Sequence, residues 1–182
     1  MVGIGGSLRE RSQSEQALRI ALAGAADAGA DTTAITGDSL VLPFYDIAIA
    51  ERSAKAGELV AAIREADGLI VVSPGYHGGL SGLVKNALDY VEDLHHDERP
   101  YLEGRAVGTI AVSFGWQAAV TTLNQLRTTV HALRGWPTPL GGAVNSIETK
   151  FDEAGSASDE KVEQTLRAIG EQVVDFARGR LR

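Results

Sequence analysis

One run near the N-terminus combines glycines, hydroxyls and arginines in the way that anion-binding loops do. It reads Gly5-Gly6-Ser7-Leu8-Arg9-Glu10-Arg11-Ser12-Gln13-Ser14. The glycines let the backbone approach a ligand closely, the serines can donate hydrogen bonds, and Arg9 or Arg11 can supply a positive charge. We therefore predict that this run, called the cradle below, binds a terminal phosphate group. A serine-rich cap on an ordinary helix is the alternative.

The cradle matches neither of two common phosphate-binding motifs. A Walker loop ends in Gly-Lys-Ser or Gly-Lys-Thr, whereas the residues here are Glu10-Arg11-Ser12. A dinucleotide fingerprint requires a third glycine at the position of Leu8. Because hydroxyl donors would surround the anion on several sides, the cradle is better suited to the phosphate of a mononucleotide.

Two later runs have residues that could contact a flat ring. They read Ser73-Pro74-Gly75-Tyr76-His77-Gly78-Gly79-Leu80-Ser81-Gly82 and Ser113-Phe114-Gly115-Trp116. Glycine-rich backbone can approach an isoalloxazine ring and bond to its pyrimidine edge, and Tyr76 or Trp116 could stack on that ring or flank it. Ordinary hydrophobic cover of a loop is the alternative for either aromatic residue.

The three runs follow strands in a regular alternation of predicted strands and helices. The strands are predicted at 2–4, 31–36, 69–72, 105–113 and 137–144. The helices are predicted at 17–28, 54–67, 81–94 and 159–178, with a further helix that carries Leu123, Leu126, Val130 and Leu133. This pattern predicts an α/β fold for a single domain, 1–182: a flavodoxin-like, doubly wound, five-stranded parallel sheet in the order 2-1-3-4-5, with helices on both faces. In that order the carboxyl ends of strands 1 and 3 flank the switch point where ligands bind.

Composition and charge narrow the classes of partner. The chain of 182 residues has a net charge of −7 and no run of lysines or arginines, which disfavours nucleic acid and anionic membranes. It contains no cysteine, so thiol chemistry is excluded and redox chemistry requires a bound cofactor. No apolar run could span a membrane, and the start does not have the pattern of a signal peptide. We expect a cytoplasmic protein.

One charged cluster near the middle of the chain is interpreted as structural. The cluster His95-His96-Asp97-Glu98 is interpreted as a solvated helix end, because neighbouring residues of a helix point apart. No metal site and no catalytic acid or base is predicted.

The connection 37–52 is too apolar for a solvated loop and is expected to cover a ligand or a partner subunit, which favours a homodimer or homotetramer.

The runs together resemble the NADPH-dependent FMN reductase family, which has a flavodoxin-like fold. The resemblance rests on Gly6-Ser7-Leu8-Arg9 with Ser12, on Pro74 and Tyr76 leading to Gly82-Leu83-Val84-Lys85-Asn86-Ala87-Leu88-Asp89, and on Ser113 with Gly115. It implies FMN as the cofactor, NADPH or NADH as the hydride donor, and a homo-oligomer. By this resemblance Ser7, Arg9 and Ser12 would bind the FMN phosphate, residues 74–78 would bind the flavin ring, and residues 113–115 would bind its remaining edge.

The predicted cofactor-binding residues are Ser7, Leu8, Arg9, Ser12, Ser14, Pro74, Gly75, Tyr76, His77, Gly78, Ser113 and Gly115. Two of them depart from the family pattern, which often has asparagine at the position of Ser14 and glutamate at the position of Gly75. We therefore expect substrate access to differ from that of typical family members.

The predicted function is an NAD(P)H-dependent FMN oxidoreductase that passes hydride to FMN and on to a small-molecule acceptor. Free flavin, a quinone, an azo compound and a metal oxyanion are all open as acceptors. A flavodoxin-type one-electron carrier is one alternative, against which Arg9 argues, because such carriers use phosphate loops with less arginine. A flavin-free interaction protein on the same fold is the other. The preferred nicotinamide, and whether FMN stays bound, are open as well.

Overall fold

The sheet is built around a nine-residue central strand in the computed structural model of the protein, which describes residues 1–152 and 155–180. The strands are β1 (Val2–Gly5), β2 (Thr33–Thr36), β3 (Gly68–Tyr76), β4 (Gly79–Leu80), β5 (Ala106–Ser113), β6 (Trp136–Pro137) and β7 (Gly142–Asn145). Strands β1 and β5 pair in parallel with the two sides of β3, and β2 pairs with β1. Both β6 and β7 pair in parallel with β5, and β4 is the one antiparallel member of these seven described strands, paired with β3.

The predicted fold class is confirmed, but the strand order differs from the prediction in detail. The order is β2-β1-β3-β5-β6 rather than 2-1-3-4-5. One reason is that β4 adds a short strand directly after β3. The other is that the last predicted strand, 137–144, is divided into β6 and β7, with Pro139, which cannot donate a ladder hydrogen bond, between the two parts.

Helices cover both faces of the sheet, and three of them begin at a serine cap. They are α1 (Gln13–Asp27), α2 (Ala54–Glu65), α3 (Gly82–Asp89), α4 (Trp116–Ala132) and α5 (Glu160–Arg180). The hydroxyls of Ser12, Ser53 and Ser81 accept the backbone N–H three residues on, at 3.2, 3.4 and 3.2 Å. In the described part of the chain, no helix is both long and apolar enough to cross a membrane.

Two helix boundaries correct the predictions. Helix α1 begins at Gln13 rather than at 17, because the cap at Ser12 draws the last cradle residues into the first turn. The predicted helix 81–94 ends at Asp89 and continues as a 3₁₀ helix, Tyr90–Leu94. The earlier start of α1 matters for function, since it brings a helix N-terminus into the cradle itself.

Each face of the sheet has its own hydrophobic core, because successive residues of a strand point to opposite faces. Leu69 and Val71 pack with α2, α3 and α4, whereas Ile70 and Val72 pack with α1 and α5. Helices α1 and α5 approach very closely: a Cβ on Gly170 would lie 2.0 Å from the carbonyl oxygen of Ala21. This contact fixes α1, and with it the cradle, against the sheet.

Asn86 of α3 and residues of the following 3₁₀ helix, such as Tyr90, hold the apolar connection between β2 and α2 by hydrogen bonds. The Oδ1 of Asn86 accepts the N–H of Tyr45 at 2.9 Å, and its Nδ2 donates to the carbonyl of Pro43 at 2.9 Å. Four large apolar side chains of the connection are nevertheless exposed: Val41 (48%), Phe44 (88%), Ile47 (74%) and Ile49 (54%). The connection therefore presents an apolar surface to solvent.

Candidate functional site

A cavity of about 400 Å³ opens at the carboxyl ends of β1, β3 and β5. It is lined by Ser7, Arg9, Arg11, Ser12, Gln13, Ser14, Pro74, Gly75, Tyr76, Val112, Ser113, Phe114, Ser146 and Lys150. Most of the residues predicted to bind a cofactor are among them. Four of the predicted residues are not: Leu8, His77, Gly78 and Gly115.

Two other surface grooves have comparable volumes, about 450 and 470 Å³. One lies between β4 and α4, and the other lies between α1 and α5. Neither is lined by residues of β1, β3 or β5. Ligands of doubly wound sheets bind at the carboxyl ends of the strands, at the switch point between β1 and β3, so we assign the functional site to the first cavity.

At the end of β1, the backbone of the cradle contacts β3 directly. Gly5 has a φ of +147°, and a Cβ at this position would lie 2.0 Å from the carbonyl oxygen of Val72. The N–H of Gly6 donates to the same oxygen at 3.3 Å. Only glycine fits at position 5, and the close approach brings the cradle against the strand whose end forms the opposite side of the cavity.

The N-terminus of α1 gives one end of the cavity the character of an anion site. The hydroxyls of Ser12 and Ser14 lie 3.2 Å apart, and these residues are 8% and 3% exposed. Arg9 and Arg11 add two positive charges to the positive end of the helix dipole. No aspartate or glutamate is among the described residues that line the cavity. This end therefore favours a negatively charged group.

The second predicted run is a hairpin rather than an irregular loop. Strand β3 continues to Tyr76, which pairs with Gly79, and the turn between them has φ values of +51° at His77 and +82° at Gly78. Two positive φ values are characteristic of a type I′ turn, which reverses the chain between paired strands. Because they form the turn of the hairpin, His77 and Gly78 lie outside the cavity lining, whereas Pro74, Gly75 and Tyr76 belong to it.

The third predicted run is joined to the second by a hydrogen bond between strand ends. The hydroxyl of Ser113 donates to the carbonyl of Gly75 at 3.0 Å. Phe114 lines the cavity and is 76% exposed, while Gly115 is the N-cap residue of α4 and lies outside the lining. The indole of Trp116 donates to Glu148 at 2.9 Å, so this aromatic side chain is tied to the chain after β7.

Leu8 lies beside the cavity rather than in it. It lines a smaller depression of about 290 Å³, together with Gly82 and Leu83 at the start of α3. This depression shares Ser7, Arg9 and Tyr76 with the cavity. The two spaces are therefore neighbours at the same edge of the sheet.

Sequence reasoning missed the contribution of the segment after β7. We call residues 146–151 the closing segment. The N–H and hydroxyl of Ser146 donate to the carbonyl of Ser113 at 2.8 and 3.1 Å, and the N–H of Phe151 donates to Gln13 at 3.2 Å. The segment thus brings Ser146 and Lys150 into the lining. Its position after the last parallel strand was the available signal, since all such strands end at the same edge.

The histidine cluster that we interpreted as a solvated helix end is remote from the cavity lining. The carboxylate of Asp97 accepts a hydrogen bond from Arg64 at 2.7 Å, and the rings of His95 and His96 lie 3.6 Å apart. Among the described residues, no group of histidine, aspartate and glutamate side chains is arranged to hold a metal ion.

Comparison with known proteins identifies a family. The family model described as NADPH-dependent FMN reductase matches residues 1–149 of the chain. An FMN-dependent NADPH-azoreductase from Staphylococcus aureus is 34% identical over 113 residues, which are 61% of this chain and 56% of that protein. An NADPH azoreductase from a Bacillus species is 22% identical over 129 residues, 70% of this chain and 69% of that protein. The chain therefore spans little more than half the length of the staphylococcal relative.

A solved structure supports the fold. The flavoenzyme NAD(P)H:(acceptor) oxidoreductase from Paracoccus denitrificans superposes with a TM-score of 0.79 at 20% sequence identity, covering 98% of this chain and 96% of that one. At this level of identity the similarity demonstrates a shared architecture. The arguments for function rest on the family and on the cavity.

Proposed function

This chain belongs to the NADPH-dependent FMN reductase family, and from that membership we propose that it is an FMN-dependent oxidoreductase that uses NADPH or NADH to reduce a small molecule. The observation that carries the proposal is the cavity at the switch point, which is cationic and rich in hydroxyls at one end and aromatic at the other. Bound FMN would supply the hydride chemistry. The protein's own contribution is to bind and orient the reactants.

The residues of the cradle fit a terminal phosphate. Ser7, Ser12 and Ser14 have hydroxyls at the cavity, and Arg9 can form charge-assisted hydrogen bonds to phosphate oxygens. The glycine at position 5 allows the chain to reach the helix N-terminus without a side chain in the way. Leu8, which lies between Ser7 and Arg9, would contribute its backbone to the binding of the phosphate.

The strand ends fit the ring of the cofactor. Pro74, Gly75 and Tyr76 offer main-chain groups and an aromatic face on one side, and Ser113 offers the end of β5 on the other. Tyr76 and Phe114 are 58% and 76% exposed, so they border the cavity where it meets solvent. A second reactant would reach the site past these two rings.

We retain His77, Gly78 and Gly115 as residues that flank the cofactor and leave room for a nicotinamide. A Cβ added to Gly78 or Gly115 would meet no atom within 4 Å. Hydride transfer requires the two rings to lie parallel at about 3–3.5 Å, and small residues at the rim permit that approach. No side chain is required as a catalytic acid or base, since orientation and proximity supply the protein's contribution.

The electron acceptor is proposed to be a small molecule: free flavin, a quinone, an azo compound or a metal oxyanion. Both curated relatives are named as azoreductases, which supports an azo compound as the first one to try. The exposed aromatic rim of Tyr76 and Phe114 suits a planar aromatic acceptor, because aromatic rings pack well in offset or edge-to-face contacts.

We further propose a homodimer or homotetramer that works in the cytoplasm. The exposed apolar side chains of Phe44, Ile47 and Ile49 support the assembly, because several large apolar side chains exposed within one short segment commonly mark an interface. The absence of cysteine agrees with a reducing compartment.

The test is anaerobic reduction of the FMN-loaded protein, followed in a stopped-flow instrument at the visible absorption band of the flavin. NADPH or NADH should bleach the band fully before any acceptor is added, and adding an azo dye should restore it. A protein that binds FMN but is reduced by neither nucleotide would instead be an electron carrier. A protein that does not bind added FMN, so that the flavin is removed by gel filtration and the protein fraction is colourless, would be a flavin-free interaction protein.

A further inference from the structure

We propose that Lys150 is an additional cation for the phosphate of the ligand, anchored separately from the cradle, and that it selects FMN over riboflavin. The inference rests on the proposed FMN site. It goes beyond the family assignment, because the match to the family model ends at residue 149. Lys150 is carried by the closing segment, about 140 residues away in sequence from the cradle that it would assist.

The closing segment holds the backbone of Lys150 in a defined place. At one end, Ser146 is bonded through its N–H and its hydroxyl to the carbonyl of Ser113. At the other end, the Phe151 side chain is buried, 8% exposed, in the core shared with α1 and α5. The N–H of Phe151 also donates to Gln13, in the first turn of α1. The backbone of Lys150 is therefore anchored next to the first turn of α1, and its side chain lines the cavity.

The charged side chains that line the cavity favour an anionic ligand close to Lys150. Arg9, Arg11 and Lys150 line the cavity, and no carboxylate is among its described lining residues, although the chain as a whole carries a net charge of −7. The ammonium group of Lys150 donates to the main-chain carbonyl of Ser146. A neutral carbonyl does not compensate the charge of the lysine, so a phosphate close by can draw the ammonium group from it.

The position of Lys150 also distinguishes its role from that of a residue at the ring. Its chain neighbour Phe151 bonds to Gln13 in the first turn of α1, whereas the described contact of the segment with a residue proposed for the ring is made at the other end, by Ser146 with Ser113. Removal of the lysine should therefore weaken the binding of a phosphorylated flavin and leave the binding of the bare riboflavin unchanged.

The experiment compares Lys150→Gln with wild-type protein and with Lys161→Gln, which removes the same charge from an exposed position on α5 outside the cavity lining. Affinities for FMN and for riboflavin are measured by quenching of flavin fluorescence. Lys150→Gln should bind FMN about 5- to 30-fold more weakly, around the lower end of the range for a charge-assisted hydrogen bond and partly below it, because the lysine is exposed to solvent. Riboflavin affinity should stay within about 2-fold, and Lys161→Gln should match wild type.

Two further results make the test decisive. Lys150→Arg, which keeps the charge, should restore most of the affinity for FMN. Unchanged affinity of Lys150→Gln for FMN, or equal losses for FMN and riboflavin, would overturn the assignment of Lys150 to the phosphate while leaving the proposed function in place. Wild-type protein that bound neither flavin would instead remove the proposed function, and this inference with it.

Discussion

The backbone N–H of Phe151 donates to the side-chain oxygen of Gln13 at 3.2 Å, across 138 positions of the chain. This hydrogen bond joins the segment after the last strand to the first turn of α1. Because Gln13 and the closing segment both line the cavity, the bond completes a wall that neither could form alone.

Loss of this bond should loosen the closing segment without unfolding the protein. In Gln13→Leu the backbone N–H of Phe151 loses its acceptor, and the expected cost is about 1 kcal/mol of stability. Hydrogen exchange should become faster for the amides of residues 146–151 and stay unchanged in β3. Gln13→Glu keeps an acceptor oxygen, so it should preserve the protection of the segment while its negative charge weakens FMN binding. Equal protection of the segment in Gln13→Leu and wild type would contradict this role.

Replacement of Arg9 by alanine should test the phosphate site directly. A charge-assisted hydrogen bond contributes about 1.5–3 kcal/mol, so Arg9→Ala should bind FMN roughly 10- to 150-fold more weakly, with far less change for riboflavin. Titration calorimetry with both flavins measures the two affinities. Arg134→Ala is the control, since it removes an arginine that follows α4 and lies outside the cavity lining. Equal losses of affinity for FMN and riboflavin would show that the cradle does not bind the phosphate.

The close contact of α1 and α5 should be intolerant of even a methyl group. In Gly170→Ala the new Cβ would lie 2.0 Å from the carbonyl oxygen of Ala21, so the helices must separate, at an expected cost of about 2–4 kcal/mol. Gly57→Ala is the matched control on α2, where a Cβ meets nothing within 4 Å and should stabilise the helix by up to about 1 kcal/mol. Urea denaturation of both variants measures the free energies. A neutral Gly170→Ala would mean that the helices can part without loss.

The exposed apolar connection should be part of a subunit interface. Light scattering of the wild-type protein should give at least twice the 19.2 kDa mass of one chain. Ile47→Asp should shift the protein toward the monomer, because a charge would be buried in the interface. Ile147→Asp introduces the same charge at a residue that is 61% exposed, compared with 74% for Ile47, and should leave the assembly intact. A monomeric wild-type protein at micromolar concentration would exclude this interface.

Much of the fold was predictable because its signals are local. The continuous apolar run Leu69 to Val72 identifies a strand buried on both faces, and the serine that caps α1 is recognisable in the cradle. The alternation of strands and helices then restricts the topology, since parallel strands require crossover helices. The end of β3 was harder to predict. His77-Gly78 lacks the Asn-Gly or Asp-Gly signal of a type I′ turn, so the sequence does not predict the hairpin.

The sequence by itself determined the cradle, the family resemblance and the edge of the sheet at which a ligand binds, because each depends on residues close together in the chain or on the order of elements. Only the tertiary structure decided which side chains meet there. It carried His77 and Gly78 past the cavity and brought Lys150 to the N-terminus of α1. Pairings such as Ser113 with Gly75, or Phe151 with Gln13, depend on how separate elements pack, and no local pattern encodes that geometry.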